Sequence, residues 1–265
     1  MLPRKDGPVS PRRRALLLIM AAVIVLAAVA VALVQRGGST PTVGYARQDV
    51  AGPVLLVPGY GGSTSALEVL AGRLRDAGKD AVVVALPGDG TGDLREAARA
   101  LATVADKAIA AGAPSVDVVG YSAGGVVVRD WVRELGGDRK ARRVITLGSP
   151  HHGTKLAALG AAFVPGACPT ACEQLVPGSS LLNKLNGGDE TPAGPQWVSV
   201  WTTQDETVTP PESAHLDGAE DIVLQSVCPG LAVSHSDLPR IALVTRIVLD
   251  SVQTGPVLPP SKADC

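Results

Sequence analysis

Residues 118–125 read VVGYSAGG, an apolar run that ends on a lone hydroxyl, Ser122, set among the smallest side chains. Gly120 and Gly124 flank it at G-x-S-x-G spacing. A serine in a strand-to-helix turn of this kind is held out as a nucleophile. The glycines are needed because bulk two residues to either side would clash in so tight a turn. A serine hydroxyl attacks a carbonyl only if a base takes its proton, and the base is usually a histidine oriented by an acid. The chain holds four histidines. His151 and His152 lie in LGSPHHGT, His215 lies in PESAHLDG and reads as a helix-surface residue, and His235 lies in CPGLAVSHSDLP.

The elements that must position these groups alternate along the chain. Strand-like stretches are Val54–Val57, Ala81–Leu86, Val116–Gly120, Arg143–Leu147, Trp197–Thr202 and Ile222–Val227. Between them run helical patterns at Ser63–Ala77 (with Ser63 or Thr64 as N-cap), Asp93–Ala111 and Gly124–Leu135, and Leu238–Val252 closes the domain. Such alternation predicts an α/β fold with a mostly parallel sheet of about six strands covered by helices on both faces. Ala81–Leu86 is apolar throughout and is expected to be buried on both faces. Ligands bind such sheets at the carboxyl ends of the strands. Where a nucleophile occupies this kind of elbow, the acid and then the histidine follow it in the chain, the histidine after the last strand. His235 fits that place. Asp205, after the Trp197–Thr202 strand, is the expected acid and Glu206 the fallback. Asp217 and Asp221, placed before the last strand, and Asp237, placed on the closing helix, fit less well. The oxyanion formed on attack requires N–H donors. The amide of Ala123, after the serine, and that of Tyr60, in LVPGYGGS, are the candidates.

Residues 154–196 break the alternation and read as a small cap-like insertion over the same edge. Leu156, Leu159, Phe163, Val164, Leu175, Leu181 and Leu182 could contact an acyl chain there or pack the insertion's own core. No metal ligand set is evident, because Cys168 and Cys172 lack a second pair at matching spacing. No cofactor motif is found. The net charge of −1 divides unevenly: residues 1–36 carry six basic side chains and one acid, the remainder 18 basic and 24 acidic. With no basic block after residue 36, a nucleic-acid partner is not expected. Aromatics at 3 % give little for stacking sugars.

After the basic cluster at Arg12–Arg14 comes an unbroken apolar run, Ala15–Val34, long enough for a bilayer's ~30 Å hydrocarbon layer. The expected organisation is a cytoplasmic basic segment at 1–14, then a transmembrane signal-anchor or cleaved signal peptide at 15–34. A linker at 35–52, a catalytic domain at 53–253 and a tail at 254–265 follow. The run's length favours the anchor; either way the domain is exported, to the outer face of the membrane or into the medium. Four cysteines, Cys168, Cys172, Cys228 and Cys265, suit two disulfides in such a compartment. Three connectivities are open, and Cys168–Cys172 with Cys228–Cys265 is one of them.

The set VPGYGG, GYSAGG, TLGSPHHGT, TQDETVTP and SHSDL resembles secreted bacterial serine lipases and esterases of the α/β-hydrolase fold, closest to the actinobacterial-type triacylglycerol lipases. The resemblance covers about residues 50–252. It implies hydrolysis of carboxylic esters by Ser122, His235 and Asp205 through an acyl-enzyme, with Tyr60 and Ala123 as oxyanion hole. It implies a lipid or small ester as substrate; no cofactor is expected, and the chain reads as a monomer that meets the membrane through its N-terminal segment. Many relatives carry His-Gly before the oxyanion donor where this chain has Pro58-Gly59. His151 and His152 are then structural or substrate-lining. The alternative readings are an acyltransferase of the cell envelope using the same three residues, or a catalytically inactive envelope binding protein of the same fold.

Overall fold

Val54–Val57 (β1), Val116–Tyr121 (β3), Ala141–Leu147 (β4) and Gln196–Trp201 (β5) are buried nearly throughout, because they lie inside a sheet with both faces covered. The computed structural model describes residues 12, 18, 20–25, 44–163 and 168–265. Residues 45–265 form one unit and residues 1–44 another. Ala81–Val83 (β2) and Glu220–Val223 (β6) complete a sheet of order β2-β1-β3-β4-β5-β6, parallel at every pairing. This is the doubly covered parallel sheet of the α/β-hydrolase fold.

Helices Leu94–Ala110 (α2) and Ala123–Glu134 (α3) pack on one face, and Ser65–Asp76 (α1) and Ala242–Ser251 on the other. At the start of α2 the Asp93 carboxylate accepts from the Arg95 amide, so its cap is closed by a side chain. Thr64 holds the N-cap position of α1, but no side chain caps that helix. Of residues 154–196, Lys155–Phe163 (α4), Thr170–Gln174 (α5) and Ser180–Leu185 (α6) are helical. Leu181, Leu182 and Leu185 join the same buried cluster as α2 and α3. The insertion therefore extends the main core and does not make one of its own. Gln174 ties it down, donating to Asp93 and accepting from the Leu94 amide.

Several elements differ from the sequence reading. β2 stops at Val83 and Val82 is exposed, because β2 is an edge strand with one outer face. Ile222–Val227 is not one strand: β6 ends at Val223 and Leu224–Val227 (α7) is a helical turn, with Asp221 inside β6. The closing helix (α8) begins at Ala242, so Asp237 lies in a short turn before it, His235–Asp237. His215 is exposed just after another such turn and pairs with Asp221. β4 begins two residues early, and Arg142 and Arg143 are wholly buried in it. Arg142 bonds Asp117 and the carbonyls of Val252 and Gln253, and Arg143 bonds those of Ser251 and Gly255. Two cations thus satisfy the carbonyl end of α8. Burial pushes the Asp117 carboxyl up to about 6, against the pull of Arg142 and Arg143.

The cysteines pair as Cys168–Cys172 and Cys228–Cys265, leaving no free thiol among the described residues. No helix among the described residues is long and apolar enough to cross a membrane. Of the expected membrane segment, only Leu18 and residues 20–25 are described, as helix; the rest lies outside the described residues, as does most of the linker.

At the end of β4, His151 is fully buried. Its Nε2 meets the hydroxyl of Thr146, which donates to Ser199, which donates to the Ala214 carbonyl. Nε2 therefore carries the ring proton, and Nδ1 is a buried acceptor without a partner among the described residues. Burial first, then Arg129, His152 and His215, drives its pKa well below 6.5.

Two measurements check these assignments. In the chain-entropy account the bridges, spanning sequence separations of 4 and 37, contribute about 2 and about 4 kcal/mol. Cys228→Ser/Cys265→Ser should therefore lose about twice the unfolding free energy of Cys168→Ser/Cys172→Ser in denaturant titrations; equal losses would refute this. A depressed histidine pKa contributes stability above the unfolded value of about 6.5 that is lost as the pH falls below it. Asp117, raised to about 6, offsets part of that loss on further acidification. His151→Gln should accordingly lose less stability than the parent between pH 7.5 and 5, and parallel losses would count against it.

Candidate active site

β3 delivers Ser122 to the carboxyl edge of the sheet, and the turn there has a defined shape. Ser122 adopts φ +54° and ψ −127° and is the only non-glycine residue of positive φ among those described. The neighbouring glycines each make room for a particular element. A Cβ on Gly120 would come within 2.6 Å of Gly125 Cα, and one on Gly124 within 2.3 Å of the Val57 carbonyl oxygen. A Cβ on Gly125 would meet Ser149 Oγ at 2.0 Å. Thus Gly120 closes the elbow on itself, Gly124 lets α3 reach the end of β1, and Gly125 lets it reach the end of β4.

Ser122 Oγ lies 3.0 Å from His235 Nε2, and His235 Nδ1 lies 2.7 Å from Asp205 Oδ2. The three residues, expected together from chain order alone, meet across separations of 113 and 30 positions. Asp205 and His235 are both buried. The carboxylate is fixed by its other oxygen: Asp205 Oδ1 accepts from the amides of Thr207 at 2.9 Å and Val208 at 2.7 Å. With the Asp–His contact filled by Nδ1–H, Nε2 presents its lone pair to the serine hydroxyl.

His235 is also held by its backbone. Glu206, the fallback acid, instead accepts from the His235 amide at 3.1 Å. Tyr121 donates its hydroxyl to the His235 carbonyl at 3.2 Å, with ring centroids 5.1 Å apart. Burial, then the charges of Asp205 and Glu206, pushes the tyrosine up to about 12, so it stays a donor. Thr202 Oγ1 donates to the Val233 carbonyl, and Gln204 accepts from the Val233 amide. The acid's loop and the histidine's loop are therefore laced together.

Gly148 is a further site residue. At φ +54°, its missing Cβ would lie 2.5 Å from Leu238 Cδ1 and 3.2 Å from both Asp205 Oδ2 and His235 Nδ1. The Asp–His pair sits directly against backbone that only glycine provides without strain. Asp217 and Asp221 are elsewhere, bound to Thr191 through a carbonyl and to Trp201 and His215. Asp237 bonds Ser234 and closes the turn that begins at His235.

On the opposite side of Ser122, the loop after β1 comes close enough that a Cβ on Gly59 would lie 2.8 Å from Ser122 Cβ. The amides of Tyr60 and Ala123 have no backbone acceptor among the described residues. Unspent donors on this side of the hydroxyl suit a developing oxyanion. His151 supports the floor, while half-exposed His152 pairs with Glu190. Among the described residues no cluster of potential ligands could hold a metal ion.

The family described as Lipase (class 2) matches residues 98–224, which include Ser122 and Asp205. No curated protein matches the chain. Solved structures share its fold. Aspergillus fumigatus lipase B superposes with a TM-score of 0.66 at 22 % identity, covering 83 % of this chain, which spans 56 % of that protein's length. The mature Bacillus licheniformis lipase BlEst2 gives 0.63 at 19 % identity, over 76 % of this chain and 92 % of that one. A lipase-esterase related protein from Clostridium acetobutylicum gives 0.53 at 13 % identity, over 78 % and 97 %. In fold and in its matched segment, the chain is similar to bacterial and fungal lipases of the α/β-hydrolase type.

Proposed function

We propose that the chain hydrolyses carboxylic esters through a covalent acyl-serine. Ser122 is the nucleophile, His235 the general base and then acid, and Asp205 the group that orients it. The observation that carries this reading is the serine–histidine contact of 3.0 Å at a residue held at φ +54°. As Ser122 Oγ attacks the ester carbonyl, its proton passes to His235 Nε2, and Asp205 stabilises the imidazolium through Nδ1–H. The carbonyl oxygen becomes an oxyanion that the Tyr60 and Ala123 amides receive. His235 then gives the proton to the departing alcohol. Water, deprotonated by His235, attacks the acyl-serine and restores the hydroxyl. The match to class 2 lipases supports an ester, and apolar side chains beside Ser122 support a lipid-like one.

An exported setting agrees with both disulfides. In this reading the apolar segment at 15–34 carries the domain out of the cytoplasm, retained as an anchor or cleaved as a signal, and the domain works as a monomer.

Ser122→Ala should reduce hydrolysis of p-nitrophenyl butyrate by at least about 10³-fold, with the thermal transition unchanged. Activity within tenfold of the parent would exclude the mechanism. Gly148→Ala tests the packing behind the Asp–His pair: kcat should fall by about 10-fold or more as the pair is displaced, with KM little changed. An unaltered kcat would show that the pair tolerates displacement.

A further inference from the structure

Two cavities flank the serine, and they differ in chemistry. One, of about 160 Å³, lies behind Gly59 and Ala123 and includes Asp89, Asp93 and Glu96 in its wall. The other, of about 180 Å³, opens on Ser122 itself and is walled by Leu156, Ala157, Cys172, Leu175 and Val208. The second is lined mostly by apolar atoms and suits an acyl chain, which would meet carboxylates in the first.

The second cavity has a fixed inner wall. Ala157, Leu175 and Val208 are 7 %, 5 % and 1 % exposed, whereas Leu156, at 56 %, stands at the rim. α4 and α5, which supply Ala157 and Cys172, are held against each other. Gly160 is so close that a Cβ there would lie 3.5 Å from Cys172 Sγ, and Cys172 is itself bonded to Cys168. The Thr154 amide donates to the Leu175 carbonyl, and the space at Gly153 is filled by Pro177.

Resting on the ester-hydrolase reading, we propose that this cavity is the acyl subsite, and that Ala157, backed by the Cys168–Cys172 bridge, limits the enzyme to short acyl chains. A cavity of about 150 Å³ accommodates benzene, and water occupies about 30 Å³ in the liquid, so 180 Å³ takes a chain of roughly four to six carbons. Ala157 is the smallest side chain in the inner wall. Enlarging it takes volume from the cavity, whereas trimming Leu175 adds to it.

The test is a kcat/KM profile of the full chain on p-nitrophenyl esters of 2, 4, 6, 8 and 12 carbons, with Ala157→Phe and Leu175→Ala beside the parent. The parent should peak at about four to six carbons. Ala157→Phe should lose about 10-fold or more on the six-carbon ester while holding the two-carbon ester within about threefold. Leu175→Ala should move the peak to longer chains, and it decides the question should Ala157→Phe not fold. A parent peak at 12 carbons, or unchanged profiles in the folded variants, would overturn the subsite assignment while leaving ester hydrolysis standing. No turnover of any ester, with Ser122 unlabelled by p-nitrophenyl ethylphosphonate, would remove the hydrolase reading and this proposal with it.

Discussion

At Ser122 the backbone is held at φ +54°, a conformation that costs a residue with a side chain about 1–3 kcal/mol and persists only where its surroundings leave no alternative. Those surroundings are three strand ends meeting at one point. The end of β1 touches the serine through Gly59 and the following helix through Gly124, and the loop after β4 fills the space at Gly125. The Ser122 amide donates to the Leu147 carbonyl, so the elbow is fastened to β4 by a hydrogen bond as well. The apolar sheet and the buried faces of α2 and α3 hold these ends in register, and the strain is carried by the whole core.

Much of this was legible because it depends on chain order and residue size. Val54–Val57 and Val116–Gly120 read as strands from their apolar runs, and Ser122 was marked by its glycines. His235 and Asp205 followed from the order of elements. Chain order said nothing of what lies behind them. Gly148 looks like any turn glycine in LGSPHH, yet its bare Cα borders the Asp–His pair. Glu206 reads as a substitute acid because it neighbours Asp205, whereas its carboxylate accepts from the histidine's backbone amide. Tyr121 occupies a variable position of its motif, and nothing in its neighbours announces a bond to residue 235. Such contacts join residues distant in sequence, so local pattern carries no trace of them.

The arginines at the start of β4 show the same limit. Nothing in RVITL says how a charge is accommodated, and here both Arg142 and Arg143 are buried. What makes their burial tolerable is a supply of acceptors: carbonyls from Ser251, Val252, Gln253 and Gly255, and the Asp117 carboxylate. Only the folded chain brings the end of α8 to the amino end of β4. The end of the sheet remote from Ser122 is thus fastened by charged side chains on backbone carbonyls, while the serine's end adds close glycine contacts to its hydrogen bonds.

The bridge between Cys228 and Cys265 joins two points 37 positions apart, and His235 and α8 lie between them. This segment is consequently a closed covalent ring. A protease that nicked the segment once, for example in the exposed stretch around Leu258, would leave both fragments joined through sulfur. The buried arginines would still grip the end of α8. The histidine opposite Ser122 therefore belongs to the part of the chain that a single cut does not release.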